Sequence, residues 1–153
     1  MRVLVVSERA DVRQQAATAL ALRDAEVTEA TTSREARQQV IDGTFDVLVI
    51  DGDMSPKGGF SLLYELREGG DLRGESTPPA LVLLAREEDR WLAGWAGANE
   101  VLIKPADPFR LVKVVADLAG AAAPPAGARA SGEQVDALLD EADSESSEGA
   151  PNR

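Results

Sequence analysis

Residues Phe45 to Phe60 read FDVLVIDGDMSPKGGF, and this stretch decides the fold. Val47, Leu48, Val49 and Ile50 form an unbroken apolar and mostly β-branched run. Such a run is expected of a strand buried on both faces of a parallel sheet. It stops at Asp51-Gly52-Asp53, and Pro56, Gly58 and Gly59 then impose a loop. Ligand chemistry in open α/β sheets sits just beyond the carboxyl ends of the strands. Asp51 therefore stands where a nucleophile or a metal ligand would. The competing structural reading is that Asp51 only ends the strand or caps a helix beginning near Gly59.

Outward from this stretch the pattern repeats. Val3-Leu4-Val5-Val6 is a second buried-strand run, followed by Val12, Ala16, Ala19, Leu20 and Leu22 at helical spacing. Glu26 to Ala30 has Val27 as its only large apolar residue and reads as an edge strand. Thr32-Ser33 offers an N-cap for a helix through Ala36, Val40 and Ile41 that Gly43 stops. Beyond the central strand, Phe60, Leu62, Leu63 and Leu66 mark a helix expected to end near Gly69-Gly70, with a polar loop from Asp71 to Pro79. Ala80 to Leu84 is a fourth buried strand. A helix from about Glu87 to Ala96 carries Trp91, Leu92 and Trp95, and Glu100 to Ile103 is a fifth strand ending at Lys104-Pro105. The last helix starts at Asp107 or Pro108, with proline in its first turn, and runs to Leu118.

Strands alternating with helices in this way predict an α/β fold: a doubly wound, five-stranded parallel sheet of flavodoxin-like type with right-handed crossovers. The weakest strand, the second, belongs at an edge, which gives the order 2-1-3-4-5. That order sets the ends of strands one and three side by side. Ser7, Glu8, Asp51 and Asp53 are then expected in one cleft, with Lys104 reaching in from strand five.

Composition narrows the chemistry. The chain has 153 residues, no cysteine and no histidine. A disulfide framework, a thiolate metal site, a histidine base and a histidine-bound zinc are all excluded. Any metal is hard and oxygen-bound. The net charge of −11 argues against nucleic-acid and anionic-membrane partners. The N-terminus is too short in apolar residues for a signal segment, and no run is long enough to span a membrane, so a cytoplasmic protein is expected.

Residues 1–119 read as one domain and 120–153 as an appendage. AAAPPAGARASGE after Gly120 is an Ala/Pro-rich linker that cannot pack a core. Ser131 with Gln134 resembles a capping box, and Val135, Leu138, Leu139 and Ala142 share one helical face. Isolated helices of that length are marginal, and the acidic, serine-rich end is expected to be disordered. The tail reads either as a solubilising appendage or as a segment that folds on a partner.

Residues 2–119 resemble the receiver (CheY-like) domain of bacterial two-component response regulators, in an atypical stand-alone form from high-GC bacteria. The resemblance is carried by VLVV-Ser7-Glu8-Arg9-Ala10-Asp11-Val12-Arg13, by FDVLVI-Asp51 with Pro56 and Gly58-Gly59, and by AGANEVLI-Lys104-Pro105-Ala106-Asp107-Pro108. It implies that Asp51 accepts a phosphoryl group from a partner histidine kinase. It implies Mg2+ held by Glu8, Asp51 and the backbone carbonyl of Asp53, and Lys104 paired with the phosphoryl oxygens. A carboxylate attacked by a phosphoryl donor needs both charges neutralised, and a divalent cation with an ammonium does that. No catalytic turnover is implied; the output is contact with another protein, or with a second copy as a homodimer.

The sequence departs from the family pattern at several positions. Ser7 and Glu8 stand where two acids usually end strand one, and the longer glutamate predicts weak magnesium binding. Leu84 stands at the hydroxyl position of strand four, Val101 at the switch aromatic, and Ala106 where an aromatic usually follows Lys-Pro. The loop before the fourth helix is about two residues short. Leu84 and Val101 are degenerate switch positions and favour an alternative, a phosphorylation-independent pseudo-receiver used as an interaction module. On the family pattern Trp91 falls in the core, while Leu92 and Trp95 fall on exposed positions and form a candidate partner-binding patch. A remoter alternative takes Asp51-Gly52-Asp53-Met54-Ser55 as the nucleophile loop of a haloacid-dehalogenase-like phosphatase. That motif normally follows the first strand, and here it follows the third.

Overall fold

The computed structural model describes residues 1–55 and 57–120. The linker and tail expectations for residues after Gly120 lie outside the described residues. Each apolar run becomes a strand: β1 (Arg2–Val6), β2 (Glu26–Ala30), β3 (Val47–Asp51), β4 (Ala80–Leu84) and β5 (Glu100–Ile103). They form one parallel sheet in the order β2-β1-β3-β4-β5, as the edge character of residues 26–30 predicts. Every residue of β3 and β4 is buried, because helices cover both faces.

The strand alternation sorts the core into two layers. Val3, Val5, Val47, Val49, Leu81 and Leu83 face α1 (Ala10–Ala21) and α5 (Pro108–Gly120). Leu4, Val6, Leu48, Ile50, Val82 and Leu84 face α2 (Ser33–Asp42), α3 (Gly58–Arg73) and α4 (Arg90–Ala96). Thr32 caps α2, its hydroxyl accepting from the Glu35 N–H at 3.1 Å. Glu35 reaches back to the Thr31 N–H at 2.7 Å.

Several helical positions differ from expectation. α3 does not end at Gly69-Gly70 but runs through it to Arg73, and the left-handed Gly74 (φ 71°) stops it. Gly70 is needed for closeness rather than for termination. A Cβ there would lie 2.9 Å from both the Glu75 carbonyl oxygen and the Thr77 methyl. A 3₁₀ turn (Glu87–Asp89) precedes the seven-residue α4 and sets its phase. The small residues Ala93, Gly94 and Ala96 therefore face inward, and Trp91, expected in the core, is 50% exposed. Ile41 and Leu22, expected in the apolar stripes of their helices, are also turned to solvent.

Candidate functional site

The strand order places three buried or nearly buried polar side chains at one end of the sheet. Ser7 follows β1, Asp51 closes β3 and Lys104 follows β5. The Ser7 hydroxyl donates to Asp51 Oδ2 at 2.6 Å. Lys104 Nζ donates to Asp51 Oδ1 at 2.6 Å, and the Asp53 N–H donates to the same oxygen at 3.0 Å. Lys104 also meets Asp53 Oδ2 at 2.9 Å. Ser7 is itself fixed: its hydroxyl oxygen accepts from the Arg9 N–H at 3.0 Å, and Arg13 Nη1 donates to its carbonyl at 2.8 Å. In the sequence Arg13 enters only as part of the resembling run that begins at Ser7, with no role of its own, because an arginine on an amphipathic helix reads as a solvated charge.

Asp51 and Ser7 have no solvent-exposed surface. Burial alone pushes the Asp51 carboxyl up. The hydrogen bonds from Lys104, Ser7 and the Asp53 amide, with the Lys104 charge, outweigh it and hold the group below its ordinary 3.8. Burial likewise lowers Lys104, and its bonds to Asp51 and Asp53 outweigh that and raise it above 10.5. The cleft thus holds an ionised carboxylate beside an ammonium. The Asp51 side chain turns to Asp53 and caps no helix; the residue before α3 is Lys57, which makes no side-chain cap.

The glycines after Asp51 have a steric cause. A Cβ on Gly59 would stand 2.1 Å from the Asp51 carbonyl oxygen, so α3 can begin against the end of β3 only with glycine there. Gly58 has φ 85°, a backbone state that side chains resist. The Lys104-Pro105 peptide is cis.

Glu8 is not drawn in with the others. It is exposed, and its carboxylate accepts from the Ser55 N–H at 3.3 Å and the Ser55 hydroxyl at 3.2 Å. Among the described residues no three acids are gathered so as to hold a metal ion. The donors are all hard oxygens, so in kind they suit magnesium. Completing a set of carboxylates requires Glu8 to leave Ser55. Leu84 is fully packed, and Val101 lies partly buried against the same apolar layer. Trp95, 42% exposed, stacks on Tyr64 with ring centroids 4.6 Å apart, while Leu92 is half-buried.

A doubly wound sheet with a buried acid at its switch point and a lysine after the last strand defines a signalling-domain class, the CheY-like receivers. The model of the response regulator receiver domain matches residues 3–116, and the chain belongs to that family. It is 32% identical to an uncharacterized response regulatory protein of Mycobacterium tuberculosis, over 77% of this chain and 90% of that one. The chemotaxis protein CheY4 of Vibrio cholerae is 27% identical with a TM-score of 0.67, covering 76% of this chain and 97% of that chain. The Thermotoga maritima response regulator TrrA, solved with Mg2+ and beryllofluoride, is 25% identical with a TM-score of 0.66, covering 76% and 97%.

Proposed function

We propose that this receiver takes a phosphoryl group on Asp51 from a histidine-bearing kinase or relay protein, and signals in the cytoplasm by protein contacts. The observation that carries it is the Asp51 carboxylate, buried at a strand end yet kept ionised by Ser7, Lys104 and the Asp53 amide. The mycobacterial relative, 90% of which is covered, supports the receiver as the main body of such a chain.

In the proposed reaction an Asp51 oxygen attacks phosphorus, the donor P–N bond breaks, and its electron pair leaves with the imidazole, which solvent protonates. The product is an acyl phosphate. Lys104 moves from the carboxylate to a phosphoryl oxygen, and Asp53, its second partner, keeps the ammonium in the cleft during that move. Ser7 holds the other carboxylate oxygen and fixes the direction of attack. Magnesium would be held by Asp51, the Asp53 carbonyl and Glu8, and would supply the remaining charge neutralisation. Because Glu8 must first give up Ser55, magnesium affinity is expected to be lower than a two-acid site provides. The role is that of a signalling module and not of an enzyme with turnover.

A specific observation favours a second reading for the output. Leu84 and Val101 sit in one packed apolar layer, and neither offers a donor or an aromatic lever, as a constitutive interaction module would have it. Leu92 and Trp95 would then contact a partner in either state. Incubation with magnesium and a small-molecule phosphodonor, followed by intact mass measurement, tests the acceptor role. One added phosphoryl mass is expected, absent in Asp51→Asn. An unmodified wild type, or an adduct that survives Asp51→Asn, refutes it.

A further inference from the structure

A phosphoryl group on Asp51 would outrun the cations that the cleft supplies. Lys104 is already shared between Asp51 at 2.6 Å and Asp53 at 2.9 Å, so one ammonium faces two carboxylates. Phosphorylation adds negative charge and three strong acceptor oxygens. Lys104 is placed for one of them, and magnesium would be held at another. Leu84, at the end of β4, is apolar and buried and offers its side chain to none.

A second cation borders the same space. Arg9 follows β1, and its N–H donates at 3.0 Å to the Ser7 hydroxyl, which donates in turn to Asp51 Oδ2 at 2.6 Å. The Arg9 side chain lines a cavity of about 840 Å³ together with Asp53, Lys104 and the small residues Ala85 and Ala106. Its guanidinium rests on Asp11, Nε donating at 3.1 Å to one carboxylate oxygen and Nη2 at 2.7 Å to the other. The same fork fits two oxygens of a phosphoryl group. Both side chains of the pair are more than half exposed, and an exposed pair of this kind contributes little, so Arg9 is free to leave it. The bond to Asp11 and the Asp11 charge raise the guanidinium above its ordinary value, and the charges of Asp51 and Asp53 add to that. Arg9 thus already lies in the field of the cleft.

We propose that Arg9 binds the phosphoryl group on Asp51, its guanidinium turning from Asp11 to the phosphoryl oxygens that Lys104 does not hold. The inference rests on Asp51 as the acceptor. Asp11 is then a placeholder: it keeps the fork formed and at the rim of the cavity while the donor enters, and it yields the fork to a group of higher charge. Arg9 supplies from the β1 side the contact that β4 lacks, so the acyl phosphate is held without drawing on α4.

Beryllofluoride binding to the full-length chain at saturating magnesium, followed by fluorine NMR, tests this in the wild type, Arg9→Gln, Arg9→Lys and Asp11→Asn. Affinity should fall about tenfold in Arg9→Gln and recover in part in Arg9→Lys, which keeps the charge but not the fork. In Asp11→Asn it should rise about twofold, because Arg9 is released from an exposed pair. The Arg9 Nε–H signal of the wild type should shift as the mimic binds. Equal affinity in the wild type and Arg9→Gln overturns the proposal. So does a loss in Asp11→Asn that matches the loss in Arg9→Gln, since the pair would then only support its loop. Intact mass after treatment with phosphoramidate separates this inference from the reading it rests on. A wild type that gains a phosphoryl group, with Arg9→Gln binding the mimic equally well, removes Arg9 alone. A wild type that gains none removes Asp51 as acceptor and Arg9 with it.

Discussion

The cleft at Asp51 and the quarter of the molecule around β4 and α4 lie side by side on one sheet, yet their chemistry differs. In the cleft every polar side chain is answered: Asp51 by Ser7, Lys104 and the Asp53 amide. Around β4 the positions are apolar and packed, with Leu84 1% exposed and Val101 in the same layer. The first region is built to hold charge, and the second to stay as it is. A charged cleft therefore stands on this fold beside a region that offers it no polar contact. A bound group shifts a conformational equilibrium only by its differential interaction with the two states, and Leu84 offers a phosphoryl group none.

The largest effect should come from breaking the charged side of this contrast. Lys104→Met leaves Asp51 buried with two donors and no cation, at a cost of about 3 kcal/mol in unfolding free energy, the lower end for breaking a buried pair. Denaturant unfolding measures it, and a loss well under 1 kcal/mol would show that the pair is not what holds the cleft. The pH dependence follows from the two shifts. Asp51 is depressed, so its contribution is complete above its ordinary 3.8 and is lost as pH falls through the folded value. Lys104 is raised, so its contribution is complete below 10.5 and is lost as pH rises through the folded value. The acid limb of the stability profile should move to higher pH in Lys104→Met, because Asp51 loses both a bond and a charge.

A smaller effect should come from placing a polar group in the apolar region. Leu84→Thr removes packed methyl groups and buries a hydroxyl, at about 2 kcal/mol. If a magnesium–beryllofluoride complex at Asp51 offsets part of that loss, the two regions are close enough to couple and only the hydroxyl was missing. Stability that does not change with the mimic would place the barrier in the surrounding packing.

Trp95→Ala should cost less, about 1 kcal/mol, since the half-exposed ring gives up mainly its stacking on Tyr64. A thermal melt checks this. A loss as large as that of Lys104→Met would make Trp95 part of the core, and an unchanged melt with weakened partner binding would make it an interface anchor.

The sheet was legible because interior parallel strands are short apolar runs, and residues 3–6, 47–50 and 80–84 have no other reading. The edge strand was legible for the opposite reason, having only Val27 to bury. What escaped depended on phase and on reach. The end of α3 went by one glycine and not another, because Gly70 answers a close contact with Glu75 while Gly74 answers a left-handed turn. Trp91 faces outward because a 3₁₀ turn of three residues fixes the rotation of α4. Glu8 was expected beside Asp51, but one extra methylene lets it reach Ser55 instead. Arg67 gave no signal at all. It is 6% exposed, and its guanidinium donates to the carbonyls of Gly97, Thr77 and Pro78 and to Asn99 Oδ1. It ties α3 to the entries of β4 and β5. An arginine after Leu66 reads as a solvated charge, and only the tertiary fold brings these acceptors, with the Thr77 hydroxyl, to it.

The smallest expected effect is also the sharpest test of the contrast between the two regions. With beryllofluoride and magnesium bound at Asp51, amide shifts should change in the loops holding Asp53, Ser55 and Lys104, and hardly at all in α4, β5 and α5. Lys104 must exchange one oxygen for another, which moves its own loop. Leu84 has no donor to be drawn inward, and its side chain is already buried in the same apolar cluster as Ala93 and Ala96. Val101 is too small to alternate between a buried and an exposed position. Partner affinity with and without the mimic should then differ by less than tenfold, which is about 1.4 kcal/mol of coupling. A displaced α4, or a difference beyond tenfold, would mean that the cleft speaks to the surface by a route other than Leu84 and Val101. The Lys104 loop would be that route, since the Lys104 N–H bonds the Leu84 carbonyl at 2.7 Å. Any backbone shift on phosphorylation would enter β4 there.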